Sequence, residues 1–262
     1  MLVISNNLSF KNRDFIRAAH EGDAVTMSVM AEVLKKAGAD IISINLSLDG
    51  DGDEKYIARA VEAVKAASLP ICIDSRNPLA HKVAAGAAGG RLIHNYVSAD
   101  GSRAADMDCI LEVAAGGKAD LVLYALRKGT PADADERLTI INELMEKANR
   151  AGIPNERLII DPVILHLGGG IGQEHAVAVQ ETLYGLKELV EPAVRTTCWI
   201  SNISAGAPKD LRPAINETYL AMLAGLGLWS AFMDVTDKET MRAVRLIRAL
   251  KNETVYSPAE AA

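Results

Sequence analysis

The chain has 262 residues, 49% of them apolar and 24% charged, with a formal net charge of −6. That length and balance describe an ordinary globular protein, one α/β barrel or two small domains, with enough chain to bury a large core. Net acidity without a Lys/Arg cluster argues against a nucleic-acid or anionic-membrane surface, and three cysteines without C-x-x-C spacing argue against a disulfide framework.

The N-terminal MLVISNNLSF lacks a basic start and a long apolar run, so no signal peptide is expected. No apolar run approaches a membrane span, and a cytoplasmic protein with free buried thiols at Cys72, Cys109 and Cys198 is expected.

A short β-branched run at 2–5 predicts the first strand. A helix is predicted at 24–37, where Val25, Val29 and Val33 with Met30, Leu34 and Ala37 form an apolar stripe. The same alternation then repeats. Strands are predicted at 40–46, 70–74, 91–95, 119–124, 157–161, 196–201 and 230–233. Helices are predicted at 53–67, 78–88, 101–115, 132–150, 174–189, 213–226 and 237–250; in the 132–150 segment Leu138, Ile141, Leu144, Met145 and Ala148 recur at helical spacing. The glycine-rich 167–172 (LGGGIG) is read as a mobile loop, and the tail from Tyr256 onward as disordered. No linker or low-complexity run divides the chain, so one domain over 1–262 is expected.

Eight strands each followed by a helix mean parallel strands joined by crossovers, and eight such units point to a closed (β/α)₈ TIM barrel. An open doubly wound sheet is the alternative. It needs a phosphate loop after strand 1, where Ser5-Asn6-Asn7-Leu8-Ser9 has no glycine.

Barrel chemistry gathers where strands end. Here the predicted ends carry Asn6 and Asn7, Asn45, Asp74, Asn95, Asp161, Ser201-Asn202 and Asp234. Any one could merely cap the following helix. A ring of them makes a polar mouth of carboxylates and amides with no evident nucleophile. A carboxylate can accept two parallel N–H bonds, and a 2-aminopyrimidinone edge presents them; pterins and guanines both carry that edge. Asp74, Asn95 and Asp161 suit such a planar ring. A metal site would want histidine and carboxylate at ligand spacing. His94, next to Asn95, should point away from the barrel centre if Asn95 points in. No G-x-S-x-G exists, and no lysine ends a predicted strand.

Four stretches extend this reading: Ile73-Asp74-Ser75-Arg76-Asn77, Ile93-His94-Asn95, Ile160-Asp161-Pro162-Val163-Ile164-Leu165 and Ile200-Ser201-Asn202-Ile203-Ser204. With 211–222 and 253–256 they resemble, in order along nearly the whole chain, the methyltetrahydrofolate:corrinoid protein methyltransferases of the pterin-binding barrel superfamily. The resemblance implies that Asp161 and Asn95 bind the amino-pyrimidinone edge and that Asp74 holds the rings. It also implies that Asn202 reaches N5, the methyl-bearing nitrogen, as the catalytic amide. Ser201 and Asn45 join the implied pterin contacts, with Asn6, Arg212 and Ser204 as outer candidates. The implied substrate is tetrahydrofolate or 5-methyltetrahydrofolate. The implied partner is a separate corrinoid protein carrying cobalamin, since no D-x-H-x-x-G motif is present. A homodimer is implied as well.

Three positions depart from the family. Its Gly-Glu-Arg-Ile-Asn after strand 1 is replaced by Ser5-Asn6-Asn7-Leu8-Ser9, its Asp-Leu-Asn on strand 2 by Ser43-Ile44-Asn45, and its later Gln by Ala205. Loss of acids favours transfer from the methylated corrinoid to neutral N5, which needs no acid help. A dihydropteroate synthase-like enzyme is disfavoured because the strand 7 and strand 8 ends, Ser201-Asn202 and Asp234, are not cationic. A non-catalytic pterin-binding subunit is the third reading.

Overall fold

The computed structural model describes residues 1–256; the expectation for 257–262 lies outside them. Eight strands, β1 (Leu2–Leu8), β2 (Ile41–Ile44), β3 (Ile71–Asp74), β4 (Leu92–Ser98), β5 (Asp120–Tyr124), β6 (Leu158–Asp161), β7 (Arg195–Thr196) and β8 (Ser230–Met233), form one parallel sheet in the order β7-β6-β5-β4-β3-β2-β1-β8. The two end strands meet through a Trp199–Phe232 bridge and a Phe232 N–H bond to the Cys198 carbonyl at 2.8 Å, which close the sheet into a barrel. This is the (β/α)₈ TIM barrel.

Alternation along each strand builds two apolar layers. Ile4, Ile41, Cys72, Ile93, Val122, Ile159 and Phe232 fill the barrel interior. The other face packs on the helices, as with Val3, Ile42, Ile44 and Ile73, and on the far side Leu121, Leu123, Leu158 and Ile160.

The nine helices of the described residues are α1 (Arg13–Glu21), α2 (Ala24–Lys36), α3 (Ile57–Val64), α4 (Pro78–Ala88), α5 (Ala104–Gly116), α6 (Ala134–Arg150), α7 (Gly172–Leu189), α8 (Arg212–Gly225) and α9 (Lys238–Leu250). The predicted 53–67 helix is broken, with 3₁₀ turns at Asp53–Lys55 and Lys65–Ala67 flanking α3. Helix α1 is additional to the predicted set. Its fully buried residues are Phe15, Ala18 and Ala19, and it is started by Asn12, whose side chain accepts from Phe15 N–H at 3.1 Å.

Two expectations are corrected. On α2 the valines of the apolar stripe face outward, Val25 at 75% exposed, while Met27, Ala31 and Leu34 enter the core. The stripe marks the helix correctly, but only its Met30, Leu34 and Ala37 edge packs, beside Met27 and Ala31. The predicted 196–201 strand shortens to Arg195–Thr196, and Ile200–Asn202 turns into a 3₁₀ helix. The 167–172 loop is a hydrogen-bonded turn, with Gly172 N–H on the Gly169 carbonyl at 2.8 Å. A Cβ at Gly172 would sit 2.3 Å from the His166 carbonyl oxygen, so close backbone approach requires that glycine.

Candidate functional site

The C-terminal strand ends open into a cavity of about 360 Å³. Asn6, Asn7 and the following Leu8–Asn12 segment wall it on the β1 side, and Ser43, Asn45, Asp74, Trp199 and Asp234 complete the lining. Register sets the depth of the polar ring. Asp74 of β3 pairs with Asn95 of β4, and Tyr124 of β5 pairs with Asp161 of β6.

Asp74 organises its neighbours. Its two carboxyl oxygens accept from Asn45 Nδ2 and Asn95 Nδ2, each at 2.8 Å. Because an ionised carboxylate only accepts, both amides are fixed with their NH₂ toward Asp74 and their oxygens turned away. The Asn45 and Asn95 oxygens are buried with no partner, and so is Asp161 Oδ2. Asp161 Oδ1 accepts from Val163 N–H at 2.8 Å. Val163 takes a left-handed conformation (φ 64°), strained for a β-branched residue, which turns that N–H back onto the carboxylate.

Burial raises both carboxyl groups, Asp74 to about 6 and Asp161 to about 7. Hydrogen bonds from Asn45 and Asn95 oppose the shift at Asp74; the Val163 N–H does so at Asp161. Among the described residues no ion pair reaches either. Asp234 differs: burial pushes it up, but bonds from Thr236 and Asn7 outweigh that and hold it below its ordinary value.

The aromatic lining was not anticipated. Trp199 stacks on Phe232 with ring centres 4.3 Å apart and donates Nε1–H to the Tyr124 hydroxyl, and Tyr124 lies 4.2 Å from the Tyr96 ring. The sequence placed the end of strand 7 at Ser201-Asn202. Counting inward positions by twos from Thr197 would have found Trp199 instead.

Asp74, Asn95 and Asn45 are thus joined by direct bonds, Asp161 shares their depth, and Asn6 lines the cavity. Asn202 and Ser201 are exposed on the rim, one 3₁₀ turn past Trp199. Ser204 is buried with its hydroxyl on the Ser201 carbonyl at 3.3 Å, and Arg212 caps the loop through the Ala207 carbonyl at 2.9 Å. These last four do not line the cavity, and neither do the fully buried Asn95 and Asp161. His94 points outward from the barrel, onto His81 of α4. No cluster of three His, Cys, Asp or Glu among the described residues could hold a metal, and no described helix is long and apolar enough to cross a membrane.

Residues 12–232 match the model of the family described as "Pterin binding enzyme". The chain belongs to the pterin-binding enzyme family. It is 24% identical over 255 residues to the methylcorrinoid:tetrahydrofolate methyltransferase of Eubacterium limosum, covering 95% of this chain and 91% of that one. It is 26% identical over 203 residues to the methionine synthase of Mycobacterium tuberculosis, covering 75% of this chain but only 17% of that longer protein. Among solved structures, dihydropteroate synthase from Stenotrophomonas maltophilia superposes with a TM-score of 0.70 at 19% identity, covering 98% of this chain and 94% of the other. The Yersinia pestis dihydropteroate synthase gives 0.68 at 18%, covering 96% and 94%. At such identities these two structures speak for the shared barrel alone.

Proposed function

We propose that this chain is a cytoplasmic methyltransferase that moves a methyl group from a methylated corrinoid protein to N5 of tetrahydrofolate, giving 5-methyltetrahydrofolate. The observation that carries the pterin half is the chemistry of the unpartnered atoms. At the mouth the orphaned amide and carboxyl atoms, on Asn45, Asn95 and Asp161, are all acceptors. A buried acceptor without a donor costs about 1–3 kcal/mol. The fitting ligand therefore brings several N–H groups on one edge, as the N–H and NH₂ of a reduced pterin do. The relative from Eubacterium limosum supports the corrinoid half and the direction.

Asn95 and Asp161 accept from the ring edge, and Asp74 holds the amides of Asn95 and Asn45 in the accepting orientation. The corrinoid, on its own protein over the open mouth, supplies an electrophilic methyl. When N5 takes the methyl, the electron pair of the broken methyl–cobalt bond stays with the corrinoid and the N5 proton leaves to water at the open mouth, so the chain need mainly align N5. Asn202 is the amide proposed for N5, able to face either N–H or N–CH₃ by rotating. Ser201 and Asn6 are proposed to contact the ring from the rim and the β1 side, with Ser204 and Arg212 shaping the loop that carries Asn202. The anionic Asp234 in the cavity disfavours a pyrophosphate leaving group, and with it dihydropteroate synthesis.

We further propose a homodimer, with the exposed apolar groove between α7 and α8, lined by Val177, Leu211, Ile215 and Met222, as its face; sedimentation showing only monomer at micromolar concentration would refute it. The function is tested by single-turnover methyl transfer in both directions with a corrinoid protein. Transfer to tetrahydrofolate is expected to dominate, and Asn202→Ala to slow it by ~10²-fold. Binding of tetrahydrofolate without transfer in either direction would instead mark a non-catalytic subunit.

A further inference from the structure

Behind the barrel wall two histidines join the strand ends that carry Asp74 and Asn95. Both are fully buried, His81 on α4 and His94 on the outer face of β4. His81 Nε2 lies 2.9 Å from the Ser75 carbonyl oxygen, and His81 Nδ1 lies 2.8 Å from His94 Nδ1. These contacts dictate the proton positions. A carbonyl can only accept, so His81 carries its proton on Nε2. Burial keeps both rings neutral, holding His81 down at about 4 and His94 at about 3. His81 Nδ1 is then a bare acceptor, and His94 must donate from Nδ1.

The chain of bonds has one direction, His94 to His81 to Ser75, and it begins and ends beside the pterin edge. His94 precedes Asn95 and Ser75 follows Asp74. On the inner face the circuit closes through Asn95 Nδ2 on Asp74 Oδ1 at 2.8 Å. Ser75 is held further by its N–H on the Asn95 carbonyl at 3.3 Å and by its hydroxyl on Asp53. An apolar pair would fill the same space with no desolvation cost, so packing alone does not explain two imidazoles here.

We propose that His81 and His94 are positioning residues, a relay that clamps the ends of β3 and β4 from outside and sets the angle at which Asp74 and Asn95 meet the substrate ring. The inference rests on the pterin reading for its consequence, but not for its geometry. Without the relay the two strand ends keep their backbone pairing and the inner Asn95–Asp74 bond but lose the outer brace, and the donor–acceptor distances to the ring loosen.

The test uses the full chain. In the wild-type protein, long-range ¹H–¹⁵N spectra should show His81 as the Nε2–H tautomer and His94 as the Nδ1–H tautomer; the reverse assignment overturns the relay. His94→Leu removes the donor, while His94→Asn puts an amide NH₂ where Nδ1–H stood. The Asn95 side-chain amide resonance of the ligand-free protein should move in His94→Leu and return in His94→Asn. The tetrahydrofolate KM should rise ~10-fold or more in His94→Leu, with kcat changed far less, and recover in His94→Asn. An unmoved Asn95 amide in folded His94→Leu, or no recovery in His94→Asn, refutes the clamp. If the amide moves as expected but the wild type binds no tetrahydrofolate, the clamp stands and the pterin reading falls.

Discussion

The two ends of the barrel treat buried carboxylates in opposite ways. At the N-terminal floor, Asp120 opens β5 and is gripped by two guanidinium groups, Arg91 and, at 2.8 Å, Arg195. Arg157 closes the same end through the Ala119 and Ala114 carbonyls at 2.9 and 2.6 Å, and Arg195 lies 4.9 Å from the Trp229 ring. At the mouth, Asp74 and Asp161 are buried as deeply but meet only amides and one backbone N–H. A satisfied carboxylate stabilises the fold; an unsatisfied one stores binding capacity at the expense of stability. The floor pairs its carboxylate within the barrel, and the mouth leaves acceptors unpartnered.

The sharpest way to break that contrast is Asp161→Asn. It removes the charge proposed to accept from the ring and offers NH₂ in place of that acceptor. Tetrahydrofolate binding should weaken by ~10²–10³-fold, the loss of a charge-assisted pair plus a mismatched donor. Calorimetric titration reads the affinity, and the melting temperature should hold or rise because an unpaired buried charge is gone. Retained affinity would end the assignment of Asp161. The mirror experiment on the floor is Asp120→Asn, which leaves Arg91 and Arg195 sharing a neutral amide. Denaturation should show a loss of about 3 kcal/mol of stability. Turnover at a temperature where the protein stays folded should not change.

The same contrast explains what the sequence did and did not reveal. The barrel was legible because strand and helix runs alternate eight times, and that pattern is set by local chain chemistry. Asp74, Asn95 and Asp161 were legible because alternation from Ile73, His94 and Ile160 decides which side chain faces in. Trp199 was missed because β7 holds only Arg195–Thr196 in regular pairing before the chain turns, a tertiary choice that no local period announces. The valine stripe of α2 misled for a related reason. Both faces of that helix carry apolar residues, and the neighbours decide which one packs. The Asp120 floor was invisible because Arg91 and Arg195 lie far from it in sequence.

A smaller effect follows from protonation. Asp161 in the fold titrates near 7 and Asp74 near 6, both above the ordinary carboxylate value of 3.8. The folded state therefore holds more protons than the unfolded state between about pH 4 and pH 7. With the pKa raised by folding, this contribution to stability is complete below about pH 4 and is lost as pH rises through 6 to 7. The carboxylates' share of ligand-free stability should thus fall over that window, against the opposite slope of the buried neutral His81 and His94, while tetrahydrofolate affinity should rise as Asp161 ionises. Denaturant titrations of both proteins at pH 5 and pH 7.5 isolate the Asp161 share: the stability of the wild type relative to Asp161→Asn should be lower at pH 7.5 than at pH 5. A wild-type slope that persists unchanged in that variant would assign it to other groups.

The smallest effect uses the two tryptophans, since one sits at each end of the barrel. Trp199 lines the mouth and is stacked on Phe232, whereas Trp229 packs under Arg195 at the floor. Trp199→Phe keeps the stack but removes the Nε1–H bond to Tyr124, and Trp229→Phe keeps an aromatic face for Arg195. Trp199→Phe should cost about 1 kcal/mol of stability, one hydrogen bond, and Trp229→Phe less, because the cation–π contact is weakened and not lost. Their fluorescence should part company on ligand addition. A reduced pterin bound within reach of Asp74 and Asp161 lies beside the Trp199 ring, so quenching should survive Trp229→Phe and largely disappear in Trp199→Phe. Quenching carried by Trp229 instead would place the ligand away from the mouth, and the unsatisfied carboxylates there would then need another explanation than a bound donor.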